Sequence, residues 1–278
     1  MTVAIGWPGP VISPSLSAAR ATARKLNEFG AGVANSFPTR FGLFATLPPL
    51  GDTAGALAEI EHAFDHLGAD GIGLLTQYGN TWLGDASFQP MFEELNRRSA
   101  VVFVHPTSLS GACDCGVLGY QIDAISQAWL EYPFNTARTI LNMMVAGTFR
   151  RFPNIRFIFC HGGGALTSLI NRIAGFKGWF DIGEDKLKQM FPEGIETEFS
   201  RLHFECAQAW GPQNMALLRS IVPDTQLLFG TDFDRFELRH SIDQFERLDL
   251  SGEARNAIAH GNARRLFTRL IDPGVVAV

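Results

Sequence analysis

The sequence predicts a single-domain α/β protein, a TIM-like (β/α)8 barrel built on a parallel sheet. Short runs of β-branched and aromatic residues alternate with longer segments of helical periodicity, which is typical of βα units. The chain has 278 residues, and one such barrel takes roughly 250. No repeat, low-complexity tract or flexible linker interrupts the pattern. We therefore predict one domain over residues 1–278.

Seven strands are predicted from apolar runs that end in turn-forming residues. They are 3–6, 41–48, 71–76, 101–106, 156–162, 202–207 and 227–232. A closed barrel of this type needs eight strands. The spacing is regular after the first run, and residues 239–278 are predicted to be helix and tail. The sequence therefore predicts that the first strand of the barrel is missing from the amino end.

Helical segments between the strands complete the predicted βα units. The clearest is 53–67, where apolar residues from Leu57 to Leu67 recur at spacings of three and four and so share one face. Further helices are predicted at 15–35, 88–98, 133–151, 164–180, 211–221 and 251–269. Residues 107–131 are the longest irregular stretch. We expect them to form a loop above the carboxyl ends of the strands, where barrel active sites lie.

Composition and charge argue against several classes of function. With 46% hydrophobic and 18% charged residues, the chain can build a large core. Its net charge of −5 and the lack of a basic stripe argue against a nucleic-acid partner. No uncharged apolar run approaches the roughly 20 residues of a membrane span, and the first residues lack a secretory signal. Four cysteines in so long a chain indicate reduced thiols, so we expect a cytoplasmic protein.

Three polar residues end three of the predicted strands. His105 ends VVFVH, His161 follows RFIFC and precedes three glycines, and Asp232 ends LLFGTD. Imidazole nitrogen and carboxylate oxygen bind cations such as Zn²⁺, and a second histidine suits acid/base chemistry because its free pKa lies near neutrality. Each residue alone is compatible with a structural role at a strand end. Three of them at one rim of a barrel favour a metal or acid/base site.

Seven segments together carry a family resemblance over nearly the whole chain. They are RFGLFATLP (40–48), DGIGLLTQYG (70–79), WLGDASFQPMFEELNRR (82–98), VVFVHPT (101–107), RFPNIRFIFCHGGG (151–164), LLFGTDF (227–233) and HGNARRLF (260–267). On these motifs the chain resembles the amidohydrolase-related decarboxylases, the group of aminocarboxymuconate semialdehyde, γ-resorcylate and 6-methylsalicylate decarboxylases. The resemblance implies an amidohydrolase-type barrel and a non-oxidative decarboxylase of a hydroxylated aromatic or related unsaturated carboxylic acid, most like 6-methylsalicylate decarboxylase.

The resemblance also implies roles for single residues. It makes His105, in VFVHP, and Asp232, in FGTD, metal ligands, and His161, in HGGG, the catalytic acid/base. Arg172, in LINRIAG, corresponds to an arginine that binds substrate carboxylate across a dimer interface in some relatives; a solvated helix residue is the alternative. The implied cofactor is a divalent metal, Zn²⁺ or Mn²⁺, with no organic cofactor. The implied partners are a small carboxylic acid substrate and a second copy of the chain.

Two departures from the family pattern leave alternatives open. The family's first strand carries His-x-His, which supplies two metal ligands, and no His-x-His occurs in this chain. Asp234 stands where relatives commonly have proline. A metal-dependent hydrolase of a lactone or amide therefore remains an alternative, as does an inactive truncated paralogue that acts only through interactions. Cys113 and Cys115 are weaker candidates for a zinc site, and Glu205 either faces the barrel mouth or pairs with a neighbouring strand.

Overall fold

A seven-stranded parallel sheet forms the centre of the molecule. The computed structural model describes residues 2–4 (backbone only), 13–107, 126–176 and 182–267. Its strands are β1 (Thr2–Ala4), β2 (Phe41–Thr46), β3 (Gly71–Leu75), β4 (Gln77–Tyr78), β5 (Thr81–Trp82), β6 (Val101–His105), β7 (Arg156–Phe159), β8 (His203–Glu205) and β9 (Leu227–Leu228). Strands β4 and β5 form a short antiparallel hairpin, and the other seven pair in the order β1-β2-β3-β6-β7-β8-β9.

The sheet confirms the predicted fold class. Each predicted strand overlaps one strand of the sheet, neighbours in the sheet are consecutive in the predicted order, and every pairing within it is parallel. This is the arrangement of a TIM-like barrel. Within the described residues no pairing joins β1 to β9, so closure of the barrel is not seen. The missing first strand stays a prediction.

Helices connect most of the strands. They are α1 (Leu16–Ser36), α2 (Thr53–Asp65), α3 (Gln89–Arg97), α4 (Glu131–Val145), α5 (Thr148–Arg151), α6 (Leu166–Ala174), α7 (Glu184–Met190), α8 (Ile195–Ser200), α9 (Pro212–Arg219), α10 (Leu238–Glu246), α11 (Gly252–Asn256) and α12 (Asn262–Leu266). A π-helical turn, Ala257–Gly261, joins α11 to α12. Among the described helices, none is both long enough and apolar enough to cross a membrane.

The predicted helix over 133–151 is wrong in one respect, because it is two helices. Gly147 has a left-handed backbone with φ of 71° and separates α4 from α5. Such a residue ends a regular helix, and glycine adopts this conformation without steric cost. Helices α7 and α8 between β7 and β8 were not predicted, because they are short and mainly polar.

The sheet is buried on both faces, which is why its strands are nearly continuous apolar runs. Alternate residues of β7 show the two faces. Phe157 and Phe159 pack in the large cluster that includes residues of the surrounding helices, whereas Ile158 belongs to a smaller cluster with Phe44 and Phe267. The rings of Phe44 and Phe267 meet edge to face at a centroid distance of 5.6 Å. The carboxyl-terminal segment therefore packs against the inner face of the sheet.

The carboxyl-terminal segment also covers the outer edge of β9. The Asn262 amide donates to the Leu227 carbonyl at 2.6 Å, and the Phe229 amide donates to the Ile258 carbonyl at 3.0 Å. Unpaired edge groups are a hazard for sheet proteins because they template pairing with other chains. Here the groups at one end of the described sheet have intramolecular partners.

A buried polar network joins α1 to β2 and α2. Asn27 bonds both backbone groups of Thr46, donating to its oxygen at 2.9 Å and accepting from its nitrogen at 2.8 Å. The same amide donates to Glu59 at 2.8 Å, and Arg24 donates to the second oxygen of Glu59 at 2.9 Å. A buried carboxylate is stable only when it is paired and hydrogen-bonded. Asn27 therefore fixes how α1 lies against the sheet.

We expect Asn27→Ala to lower the free energy of unfolding by about 3 kcal/mol, because it leaves the Thr46 amide and a Glu59 oxygen buried without their partner. Denaturation in urea, followed by circular dichroism, measures this. Asn171→Ala on α6 is the matched control, since Asn171 is exposed and should change stability by less than about 0.5 kcal/mol. Equal losses in the two variants would contradict the assignment.

Candidate active site

The structure brings His105, His161 and Asp232 together at the carboxyl ends of the strands. His105 is the last residue of β6, while His161 follows β7 and Asp232 follows β9. The His161 Nε2 atom lies 3.7 Å from Asp232 Oδ2. The rings of His105 and His161 meet edge to face with their centroids 5.4 Å apart. Three residues distant in the sequence thus form one polar cluster.

The backbone is strained at this rim. His161, Gln208 and Asp232 have φ angles of 54°, 56° and 52°, in the left-handed region that residues other than glycine seldom adopt. They follow the ends of three adjacent strands, β7, β8 and β9. Strain of this kind persists only where the surroundings enforce it, and it concentrates at functional sites.

The glycines after His161 let the chain turn in a confined space. A side chain on Gly163 would approach Phe204 to 2.8 Å, and one on Gly164 would approach the Pro133 carbonyl to 2.2 Å. Both glycines also have positive φ angles, 80° and 64°, which glycine tolerates best. Gly163 and Gly164 of the HGGG sequence are therefore required because the backbone here passes close to β8 and to the start of α4.

Two side chains from the loop after β8 hold the segment that carries Asp232. The Trp210 indole donates to the Gly230 carbonyl at 3.1 Å, and the Gln208 amide donates to the Thr231 carbonyl at 3.2 Å. The ring of Trp210 is fully buried. These bonds fix the two peptide groups that precede Asp232, which positions its carboxylate.

His105 is neutral at neutral pH. Burial, and to a smaller extent the nearby charge of His161, lower its pKa to about 4. Nδ1 lies 2.8 Å from the Pro106 carbonyl, which only accepts, so Nδ1 carries the hydrogen. This tautomer places the lone pair on Nε2. A backbone carbonyl that bonds one ring nitrogen is the usual way of orienting a histidine that binds metal through the other.

His161 and Asp232 form an oppositely charged pair. Burial alone would lower the pKa of His161, but the Cys160 sulfur and the Asp232 carboxylate outweigh it, and the pKa lies well above the usual value. Burial raises the pKa of the Cys160 thiol as well, against the opposing charge of His161. The neighbouring His161 side chain holds the pKa of Asp232 below its usual range, against the opposing effect of burial.

Cys160 belongs to the cluster, although the sequence analysis did not select it. Candidate ligand atoms of His105, Cys160 and His161 all lie within 4.8 Å of one another, and Cys160 is only 1% exposed. In the sequence it ends an apolar run, where cysteine is indistinguishable from a small hydrophobic residue. The position of Cys160 two residues after Ile158 could have predicted that both side chains lie on the same face, because alternate residues of a strand share a face.

Glu205 lies beneath His161. Its Oε1 atom accepts from the Ala207 amide at 2.7 Å, and Oε2 from the His161 amide at 3.5 Å. Burial raises the pKa of this carboxyl, although the charge of His161 opposes the shift. Gly230 leaves the necessary space, because a side chain there would lie 1.4 Å from Glu205 Oε1. The sequence left open whether Glu205 faces the barrel mouth or pairs with a neighbouring strand. The structure favours the orientation toward the mouth.

Of the other sequence candidates, the structure describes Arg172 and Asp234. Arg172 is exposed on α6, and no contact with His105, His161 or Asp232 occurs in the described part of the chain. Cys113 and Cys115 lie outside the described residues. Asp234 has a φ of 84°, which proline cannot adopt because its ring fixes φ near −65°. The loop after Asp232 therefore differs in shape from one that has proline at this position.

The donor atoms of the cluster suit a divalent cation. Neutral His105 offers an imidazole nitrogen and ionised Asp232 offers carboxylate oxygens, the ligand types that zinc and manganese accept. His161 holds a proton and is therefore suited to proton transfer. The residues present fit a metal bound through His105 and Asp232.

Comparison with known proteins establishes the family. A family model described as amidohydrolase matches residues 15–269. The chain belongs to the amidohydrolase family. It is 34% identical to decarboxylase yanB of Aspergillus niger, over 96% of this chain and 74% of that protein. It is 32% identical to 6-methylsalicylic acid decarboxylase of Penicillium expansum, over 95% of this chain and 80% of that protein. The resemblance to amidohydrolase-related decarboxylases is confirmed.

Solved structures support the same fold. The 2,6-dihydroxybenzoate decarboxylase from Rhizobium has a TM-score of 0.82 at 22% identity, covering 96% of this chain and 83% of that one. The dihydroxybenzoic acid decarboxylase from Polaromonas, which holds manganese and the inhibitor 2-nitroresorcinol, has a TM-score of 0.82 at 22% identity over 98% and 82% of the two chains. At this identity the likeness shows the fold alone.

We expect Gly230→Ala to displace the Glu205 carboxylate and to lower the free energy of unfolding by about 3 kcal/mol through overpacking. Thermal unfolding measures the loss. Gly252→Ala is the matched control, because nothing lies within 4 Å of a side chain there. The double variant Glu205→Ala/Gly230→Ala should recover part of the loss. If Gly230→Ala behaves like Gly252→Ala, the slot for Glu205 is not as described.

Proposed function

We propose that this chain is a non-oxidative decarboxylase that removes the carboxylate of a small hydroxylated aromatic acid as carbon dioxide. The observation that carries the proposal is the polar cluster at the barrel rim, where His161 Nε2 lies 3.7 Å from Asp232 Oδ2 and the His161 ring meets that of His105 at a centroid distance of 5.4 Å. The curated relatives that are 32–34% identical to this chain are decarboxylases, and two of them act on 6-methylsalicylic acid. A methylated hydroxybenzoate is therefore the substrate class we favour.

His161 supplies the proton that this reaction consumes. Replacing a carboxylate by hydrogen on an aromatic carbon takes up one proton and releases one carbon dioxide. The N–H bond of His161 breaks while a C–H bond forms at the carbon that carries the carboxylate. The C–C bond then breaks, its electron pair returns to the ring, and solvent reprotonates the imidazole. Asp232 favours the protonated form of His161 before the transfer.

A divalent metal completes the proposed site. His105 and Asp232 would hold it, and when bound it would act as a Lewis acid toward the phenolic and carboxylate oxygens. We favour Zn²⁺, with Mn²⁺ as the alternative because the Polaromonas relative holds manganese. Tyr132 contributes a wall, since its ring meets that of His105 edge to face at a centroid distance of 6.1 Å. An aromatic wall suits a planar substrate.

Assembly and location form part of the same proposal. Arg172 is exposed on α6, and in a homodimer it would reach the carboxylate of a substrate bound in the partner's site. The planar guanidinium fork matches a carboxylate. We place the protein in the cytoplasm, in keeping with the free, buried thiols of Cys160 and Cys206.

We expect His161→Asn to lower kcat by about 10³-fold, within the range attributed to general acid catalysis. Asparagine is the replacement of choice because it tolerates the left-handed backbone at this position. Carbon dioxide release from 6-methylsalicylate measures the rate, and circular dichroism verifies the fold. His66→Asn, on an exposed residue at the end of α2, should keep the parent rate.

Two outcomes would contradict the proposed reaction. Hydrolysis of a lactone or amide without release of carbon dioxide would favour a metal-dependent hydrolase. A near-parent rate in His161→Asn would show that His161 is not the proton donor.

We expect Arg172→Ala to raise KM about tenfold with little change in kcat, since one charge-assisted contact contributes roughly 1.5 kcal/mol to binding. Steady-state kinetics measures the change, with Arg264→Ala as an exposed control on α12. Dilution should raise the KM of the parent protein if Arg172 acts across a dimer interface. A KM that responds to neither the substitution nor dilution would show that Arg172 is a solvated helix residue.

A further inference from the structure

We infer that Cys160 is a third protein ligand of the metal centre, which makes the site selective for thiophilic cations such as Zn²⁺ and Co²⁺ over Mn²⁺. The inference rests on the proposed function only in placing a metal at His105 and Asp232. It concerns how this chain binds the metal, and its test does not depend on turnover.

The position of Cys160 on the barrel supports this assignment. Ile158 faces the inner cluster, and Cys160 comes two residues later on the same side of the chain. Cys160 follows β7 directly, at the rim where His105 ends β6. Its side chain therefore points toward the interior at the height of the two histidines.

Distances within the cluster support ligation. The candidate ligand atoms of His105, Cys160 and His161 lie within 4.8 Å of one another. Ligand atoms of a tetrahedral zinc site lie roughly 3.3–3.8 Å apart, given Zn–N and Zn–S bonds of about 2.0 and 2.3 Å. Small side-chain rotations can bring Cys160 and His105 within bonding range of one cation. Asp232 Oδ2 lies 3.7 Å from His161 Nε2.

The number of ligands gives a chemical reason for a thiol at this place. Catalytic zinc sites usually have three protein ligands and one open position. In the proposed site His105 and Asp232 supply two, and Cys160 supplies the third. On metal binding the S–H bond of Cys160 breaks, its proton passes to solvent, and the sulfur electron pair binds the cation. Thiolate favours zinc and cobalt, whereas manganese prefers oxygen.

Cys206 provides a matched control. It is as deeply buried as Cys160 and directly follows the neighbouring strand β8. Its sulfur lies 3.5 Å from the Phe204 carbonyl, and it does not belong to the cluster with His105 and His161. A serine at either position changes one buried sulfur to oxygen, so only the contact with the metal distinguishes the two variants.

The test is the electronic spectrum of the full-length protein loaded with Co²⁺. We expect a thiolate-to-cobalt charge-transfer band in the near ultraviolet for the parent, for Cys206→Ser and for Cys113→Ser/Cys115→Ser. Cys160→Ser should lose the band, and its affinity for Zn²⁺ should fall roughly 10- to 100-fold or more, while its affinity for Mn²⁺ changes little. Persistence of the band in Cys160→Ser, or a cobalt protein without the band, would overturn the inference.

X-ray absorption at the zinc edge of the parent protein keeps the inference testable if Cys160→Ser does not fold. A sulfur shell at about 2.3 Å supports ligation, and a shell of nitrogen and oxygen alone rejects it, as does failure to bind one equivalent of Zn²⁺ or Co²⁺. A protein that shows the sulfur shell but releases no carbon dioxide would leave the inference standing and would remove the proposed reaction instead.

Discussion

Parallel pairing of β6, β7, β8 and β9 is the constraint on which the site depends. Since parallel neighbours run in one direction, the residues that follow each strand arrive at the same rim, however far apart they lie in the sequence. The helices between these strands carry the chain back to the opposite rim. His105, His161 and Asp232 meet for this reason. The strained backbone at His161 and Asp232 and the bonds from Trp210 and Gln208 then set the final orientation.

The pKa values of His105 and His161 are shifted in opposite directions, although their rings lie close together. The two side chains therefore suit different chemistry. Burial and the neighbouring imidazolium keep His105 neutral, with its lone pair on Nε2. The Cys160 sulfur and the Asp232 carboxylate together raise the pKa of His161 well above its usual value, against the effect of burial. Two residues of the same type at the ends of adjacent strands thus differ in pKa because their surroundings differ. The half-buried Asp232 carboxylate, which lies beside His161, contributes to this difference.

Much of the fold was predictable from the sequence because both faces of each strand are buried, and such strands appear as continuous apolar runs. The rim that carries His105, His161 and Asp232 was predictable for the same reason, although β7 and β9 end at Phe159 and Leu228, before the predicted ends at 162 and 232. The contributions of Cys160 and Glu205 were not predictable from the sequence. They depend on the direction in which each side chain points and on the space that Gly230 leaves for the Glu205 carboxylate. The break at Gly147 was missed because glycine also occurs inside helices, as Gly30 and Gly32 do in α1.

Asn262 and Ile258 form hydrogen bonds with the outer edge of β9, which limits the pairing of a further strand at this edge. An added strand, whether from this chain or from another, would compete for the Leu227 carbonyl and the Phe229 amide. Growth of the sheet and docking of the carboxyl-terminal segment are therefore mutually exclusive at this edge. Asp232 follows β9 closely in the chain. Displacement of the carboxyl-terminal segment from this edge would therefore also shift the Asp232 carboxylate, which lies beside His161.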